Sequence, residues 1–201
     1  MIASKLLKVR RMSTIINEIV KDHNEIKAFY NEYDKHYRNP NYHEAKKWYN
    51  QLAWEVARHS VSEEVVLYPW MAKQTKIDVE KNKMQHQGVK EKFAQLEKLN
   101  VDDASFHSLL KSAMQDLLAH MDLEEKQEFP LITSVASAQD LNDLAVKFER
   151  RKKIVPTHAH PGAPTTPGME TVTGLLMAPF DKLRDLFKDF PEKEEVHKAS
   201  K

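Results

Sequence analysis

One eleven-residue phrase occurs twice in this chain. His59-Ser-Val-Ser-Glu63-Glu64-Val-Val-Leu-Tyr68-Pro69 lies over His120-Met-Asp-Leu-Glu124-Glu125-Lys-Gln-Glu-Phe129-Pro130, and both read HxxxEExxx[Y/F]P. A weaker match precedes each copy: His23-Asn-Glu-Ile26-Lys27 over His86-Gln-Gly-Val89-Lys90. The spacing agrees too, with 36 residues from His23 to His59 and 34 from His86 to His120. The chain reads as two copies of one hairpin, each carrying a histidine and then HxxxE.

Each of these segments has a helical period. Ile16, Ile19, Val20, His23, Ile26 and Tyr30 recur at steps of three and four after a cap at Ser13 or Thr14. Asn41 with Glu44 resembles a capping box and opens a second stripe of Trp48, Leu52, Val56, His59, Glu63 and Leu67. A third helix opens near Asp78 and shows His86, Val89, Phe93 and Leu96; a fourth shows Phe106, Leu110, Ala113, Leu117, His120 and Glu124. Four such stripes with short connections and no alternation at two predict an all-α, antiparallel four-helix bundle over residues 13–135. Leu141, Leu144, Ala145 and Phe148 predict a short fifth helix within 136–155. Residues 156–201 read as a Pro-rich linker, an amphipathic segment from Leu175 to Phe190 that packs on the bundle or on a second subunit, and a polar, disordered end from Glu192.

Composition narrows the function. Thirty-one Lys and Arg against 30 Asp and Glu give a formal charge of +1, which disfavours nucleic acid as a partner. Only 4 glycines occur in 201 residues, where average usage gives about 14, so glycine-rich β-folds and Rossmann sheets are disfavoured. With no cysteine, disulfides, thiol catalysis and thiolate-bound metals are excluded. No stretch approaches the ~18 consecutive apolar residues of a transmembrane segment. The expected location is intracellular and cytoplasmic; the basic, acid-poor start with Lys5, Lys8, Arg10 and Arg11 fits a mitochondrial targeting segment as well as a basic tail.

Four residues along a helix advance about 6 Å and turn roughly 40° past a full turn, so the His and Glu of HxxxE project from one face. In both copies that face is the apolar stripe. An unpartnered polar group there costs about 1–3 kcal/mol, and an ionised carboxylate more. A metal centre makes sense of four inward histidines and two inward glutamates, because imidazoles and carboxylates become ligands and the cations neutralise buried charge. Two matched halves suggest two ions, with Glu63 and Glu124 able to bridge a pair about 3.5–4 Å apart. Nitrogen and oxygen donors without thiolate suit iron, manganese or zinc. The Glu-x-x-His motif of ferritin-like sites occurs only as Glu194–His197, in the tail.

The paired HxxxE motifs resemble the haemerythrin family, specifically its HHE cation-binding domain, over roughly Ile15 to Leu131. The end of the chain, Pro156-Thr-His-Ala-His160-Pro161 and the amphipathic segment, is similar to fungal members. The resemblance implies two iron ions with a bridging oxo or hydroxo group in a four-helix bundle, and an open position for a small diatomic or peroxide ligand. Carried over, the metal ligands are His23, His59, Glu63, His86, His120 and Glu124. Oxygen-carrying members have a second histidine four residues after the third-helix one; here that position is Lys90, which favours peroxide, oxidase-like or sensing chemistry over reversible carriage.

Around the ligands, Glu64 and Glu125 read as outer partners or helix-surface acids. Glu55 and Asp116, one turn before the ligand histidines, read as acceptors for the outer ring nitrogens or as ordinary surface pairs. Tyr68 and Phe129 read as core plugs, and His36, His43, His107 and His197 as surface residues. Three functions compete: a di-iron protein that binds or reacts with dioxygen, peroxide or nitric oxide; a metal- or oxygen-sensing module; and a di-metal oxidase or oxygenase whose organic substrate lies in a cavity lined by Trp48, Trp54, Trp70 and several tyrosines.

Overall fold

The computed structural model describes residues 14–154 and 188–201, and among them every regular element is helical. The first helix, α1 (Ile15–Arg38), starts at Thr14, whose side chain accepts from the Asn17 amide. Asn41 caps α2 (Tyr42–Ser62) by accepting from the Glu44 amide. Asp78 caps α4 (Val79–Leu96) in the same way through the Lys81 amide, and α5 (Ala104–Leu123) follows. These four helices form the bundle, with α1 packed along α2 and α4 along α5.

Both HxxxE helices widen at the glutamate. A π turn, π1 (Glu63–Leu67), joins α2 to α3 (Tyr68–Gln74), and its copy, π2 (Glu124–Glu128), joins α5 to α6 (Phe129–Val135). The sequence supplies a cause. Pro69 and Pro130 have no amide hydrogen to give the carbonyl four residues back. The Tyr68 and Phe129 amides instead donate five residues back, to the Glu63 and Glu124 carbonyls. Such single π turns gather at functional sites.

Two apolar clusters fill the bundle. Ile26, Phe29, Tyr33, Trp48, Leu52, Val56, Val89, Phe93, Phe106, Leu110 and Leu117 form one; Ile15, Ile19, Leu67, Tyr68, Met71, Phe129, Ile132, Leu144 and Phe148 form the other. Along α1 the boundary falls between Ile19 and Ile26, along α2 and π1 between Val56 and Leu67, and along α5 and π2 between Met121 and Phe129. The inward histidines occupy that boundary, a polar layer with apolar packing above and below.

The α1 stripe differs from its sequence reading. Ile15, Asp22, Phe29 and Tyr33 are buried, while Ile16, Val20 and Tyr30 are half-buried. The face is rotated because α1 is covered by α2 on one side and on another by α7 (Ala138–Lys152), the predicted fifth helix. The helix carries a capping box: Ser137 Oγ accepts from the Asp140 amide at 3.1 Å, and the Asp140 carboxylate accepts from the Ser137 amide at 3.0 Å. Ser137→Ala is expected to cost about 1 kcal/mol. Thermal unfolding followed by circular dichroism should show this as a fall of about 2–4 °C; an unchanged midpoint would refute the role of the cap.

The polar end is not disordered. Residues Lys193–Ala199 form α8, started by a box between Glu192 and Glu195 and tied down by Val196 and Ala199 against the first apolar cluster. Two small apolar side chains one turn apart were too faint a stripe to read in so charged a segment. His107 is likewise half-buried rather than a surface residue, stacked 4.0 Å from the Tyr37 ring. The expected Pro-rich linker and most of Leu175–Phe190, with the proposed subunit contact, fall outside the described residues, as does the basic start. Among the described residues no helix is long and apolar enough to cross a membrane.

Candidate metal centre

The six side chains singled out by the repeat come together. His23 on α1, His59 on α2, His86 on α4 and His120 on α5 meet Glu63 and Glu124 at the first residues of the two π turns, and none is more than 1 % exposed. All four imidazoles turn Nε2 inward. Glu63 Oε2 lies 3.3 Å from His59 Nε2 and 3.5 Å from His86 Nε2. Glu124 lies 3.3 Å from His120 Nε2 and 3.4 Å from His23 Nε2, through Oε1 and Oε2 respectively. Each glutamate therefore touches one imidazole of its own hairpin and one of the other. Among these six side chains two groups bring their donor atoms within 4.8 Å of one another, His23–His59–Glu63 and Glu63–His86–His120, and they share Glu63.

These donors are poorly satisfied by the protein itself. His23 Nε2, His59 Nε2, both Glu63 oxygens and Glu124 Oε2 are buried without a hydrogen-bond partner. Leaving a buried polar group unpaired costs about 1–3 kcal/mol, so five such atoms facing one another are a strong liability for a fold that does nothing with them. A cation removes it, and the nitrogen–oxygen donor set fits iron, manganese or zinc.

Electrostatics point the same way. Burial, followed by the neighbouring Glu124 charge, pushes the Glu63 pKa well above the usual carboxylate range. Burial works against ionised Glu124 as well, but His120 and His23 outweigh it and hold its pKa far below normal. Burial lowers His59, and with the charge of nearby His120 brings His86 down to about 4. His120 is disfavoured as a cation by burial, yet the Glu124 carboxylate raises its pKa. A metal ion takes up neutral imidazole, the form burial favours at His59 and His86, and carboxylate, so binding would displace the proton that burial favours on Glu63.

A second ring of side chains holds the outer nitrogens. His23 Nδ1 lies 2.8 Å from Glu125 Oε1, which also accepts from Lys27 at 3.2 Å. In the other copy His86 Nδ1 lies 2.9 Å from Glu64 Oε1, and Lys90 donates to both Glu64 oxygens at 2.7 Å. Burial opposes Glu64 ionisation, but His86 and Lys90 overcome it and bring the pKa to about 2. Glu64 and Glu125 are thus the outer partners: 100° round from the core face is the flank that meets the neighbouring helix. Lys90 is spent on Glu64 instead of pointing into the centre.

Glu55 and Asp116 do not take the acceptor role. Glu55 is bound by Lys152 and Arg58, and Asp116 sits exposed on Lys92. The outer nitrogens of His59 and His120 face the residues just before the other two histidines, Asp22 (Oδ2 at 3.6 Å) and Gln85 (Oε1 at 3.0 Å). Sequence reasoning missed both, although their shared position, one residue ahead of His23 and His86, was a readable signal.

Tyr68 is more than a core plug. Its hydroxyl lies 3.2 Å from His86 Nε2 and 3.5 Å from His120 Nε2, and donates to Glu124 Oε1 at 3.4 Å. The matching Phe129 has no polar atom and stacks on His23, 6.2 Å between centroids. A shallow surface cleft of about 520 Å³ lies beside it, lined by Ile16, Val20, Glu125, Phe129, Pro130, Thr133 and Ser134. The tryptophans do not line it: Trp48 packs on Phe29, Trp54 carries Arg58 on its ring, and Trp70 packs against the second apolar cluster.

Comparison with known proteins agrees with this geometry. Residues 14–132 match the family model described as Hemerythrin HHE cation binding domain. The chain is 38 % identical over 191 residues to an uncharacterised hemerythrin-like protein of Schizosaccharomyces pombe, and the alignment covers 90 % of each. No solved structure matches.

Proposed function

The chain belongs to the haemerythrin HHE cation-binding family, and we propose that it holds two iron ions with a bridging oxo or hydroxo group and binds or reacts with dioxygen, peroxide or nitric oxide. His23 and His59 hold one ion, His86 and His120 the other, and Glu63 and Glu124 are shared. The observation that carries this reading is that each glutamate reaches an imidazole of both hairpins. Zinc or manganese fits the same donors, and the metal bound is decided by measurement.

Iron in such a site supplies the redox chemistry. The chain's own residues do the rest. The two apolar clusters exclude bulk water from the polar layer, and Glu125, Glu64 and Gln85 hold the His23, His86 and His120 imidazoles with Nε2 inward. Tyr68 offers an O–H donor on the His86–His120 side.

Elemental analysis of protein purified without added metal is expected to give close to two irons per chain, with an oxo-to-iron charge-transfer band after aeration. A colourless protein holding one ion would overturn the reading. Tyr68→Phe is expected to keep the iron content and to change the rate at which peroxide oxidises the ferrous protein by about tenfold. That is the scale of one hydrogen bond to a charged group, about 1.5 kcal/mol. An unchanged rate in stopped-flow absorbance would return Tyr68 to a packing role.

A further inference from the structure

The two hairpins match behind His23 and His86 but not behind His59 and His120. His120 Nδ1 meets the neutral amide of Gln85 at hydrogen-bonding distance, 3.0 Å. His59 Nδ1 faces a carboxylate, Asp22, at 3.6 Å, a longer and weaker contact, and neither atom has a closer partner. What Asp22 does bind is Lys152, the last residue of α7, whose Nζ lies 2.6 Å from Asp22 Oδ1 and 2.6 Å from Glu55 Oε1. Arg58 closes the group by donating to the Lys152 carbonyl at 2.9 Å and pairing with Glu55 at 3.3 Å. Asp22, Glu55 and Lys152 are all buried. Phe148 of α7 also packs edge-on to the His59 ring, 6.5 Å away. The corresponding acid in the other hairpin, Asp116, is at the surface.

Helix α7 lies beyond the 14–132 segment that the family model matches. It nevertheless reaches the centre, through Phe148 on the His59 ring and through the Lys152 ammonium on Asp22. A carboxylate that accepts the outer N–H of a ligand imidazole makes it a stronger donor. Lys152 competes with His59 for the Asp22 carboxylate, and its contact is the shorter by 1.0 Å.

We propose that Lys152 is a positioning residue of the metal centre: by drawing Asp22 back from His59, α7 makes the two metal positions unequal and keeps the His23–His59 position the weaker. The ammonium charge itself acts in the same direction. Docking of α7 and filling of that position are then linked, each opposing the other to the same extent. This rests on the two-ion reading given above.

The test is stepwise binding of Co(II) to the full chain, followed by visible absorption against a competing chelator. The wild-type protein is expected to bind two ions in two separate steps. Lys152→Met should tighten the weaker step by about tenfold, the usual scale for an outer partner of a ligand histidine, and leave the other step alone. Lys152→Arg should restore wild-type behaviour. Gln85→Glu, which gives His120 a carboxylate, should tighten the other step. If Lys152→Met does not fold, Asp22→Asn decides: it gives His59 a neutral amide like that behind His120, and the two steps should converge. The proposal is overturned if Lys152→Met leaves both steps unchanged or moves them equally, if Lys152→Arg behaves as Lys152→Met, or if Asp22→Asn keeps the original gap. A wild-type protein that takes up fewer than two Co(II) ions overturns the two-ion reading itself, a different outcome from two steps that ignore Lys152.

Discussion

Glu63→Ala is expected to empty both metal positions, whereas His23→Ala chiefly weakens one. The difference follows from reach. Glu63 Oε2 sits within 3.5 Å of imidazoles from both hairpins, so in the two-ion reading proposed above the carboxylate would serve either ion as much as the other. His23 meets Glu124 on one side only. Removing one partner of a buried charge pair costs about 3–5 kcal/mol, which at 1.4 kcal/mol per decade is about 10²–10⁴-fold in affinity. For Glu63→Ala that loss applies to both ions; for His23→Ala it applies to one. Glu63→Gln separates charge from volume, since it fills the same space. The metal-free variant should be no less stable than the metal-free parent, because Glu63 is buried, lacks hydrogen bonds and faces the Glu124 charge. Metal content by elemental analysis, with thermal unfolding of the chelated forms, checks both halves. Two tightly held ions in Glu63→Ala would refute the shared carboxylate.

Much of this centre was legible because the repeat is written in helical steps. HxxxE on an apolar stripe leaves little freedom: the two side chains must share a face, and the face must be inside. The stripes of α2, α4 and α5 were read without error for the same reason, each lying against the bundle axis. For Asp22 and Glu55 a neighbour outside the repeat decides the outcome. Asp22 is buried because Lys152 comes from α7, 130 residues away along the chain. Nothing local in Lys-Asp-His announces that partner. Glu55 belongs to the same ammonium, which is why it does not serve a histidine. Tyr68 and Phe129 look alike as aromatic residues before proline, yet one hydroxyl oxygen puts Tyr68 in the polar layer and leaves Phe129 as a wall. The π turns follow from Pro69 and Pro130 in hindsight, but a proline after a helical stripe reads equally well as a stop.

Metal loading is expected to raise the unfolding midpoint by about 15–30 °C relative to the chelated protein. An ion present at a thousand times its dissociation constant stabilises the folded state by about 4 kcal/mol, so two give about 8. Each kcal/mol moves the midpoint of a domain this size by about 2–4 °C. The gain is large because of what the metal-free centre holds: unpartnered imidazole nitrogens and carboxylate oxygens in one buried layer. The helices themselves should survive metal removal. Apolar clusters pack on both sides of the layer, and the outer nitrogens of His23, His86 and His120 already have partners. Far-ultraviolet circular dichroism should therefore be nearly the same with and without metal at low temperature, while the melting curves separate. Glu63→Gln, unable to share a carboxylate between the ions, should lose most of the separation. A chelated protein that melts within a few degrees of the loaded one would mean that the layer is satisfied without ions, and the case for a metal centre would fail on stability grounds alone.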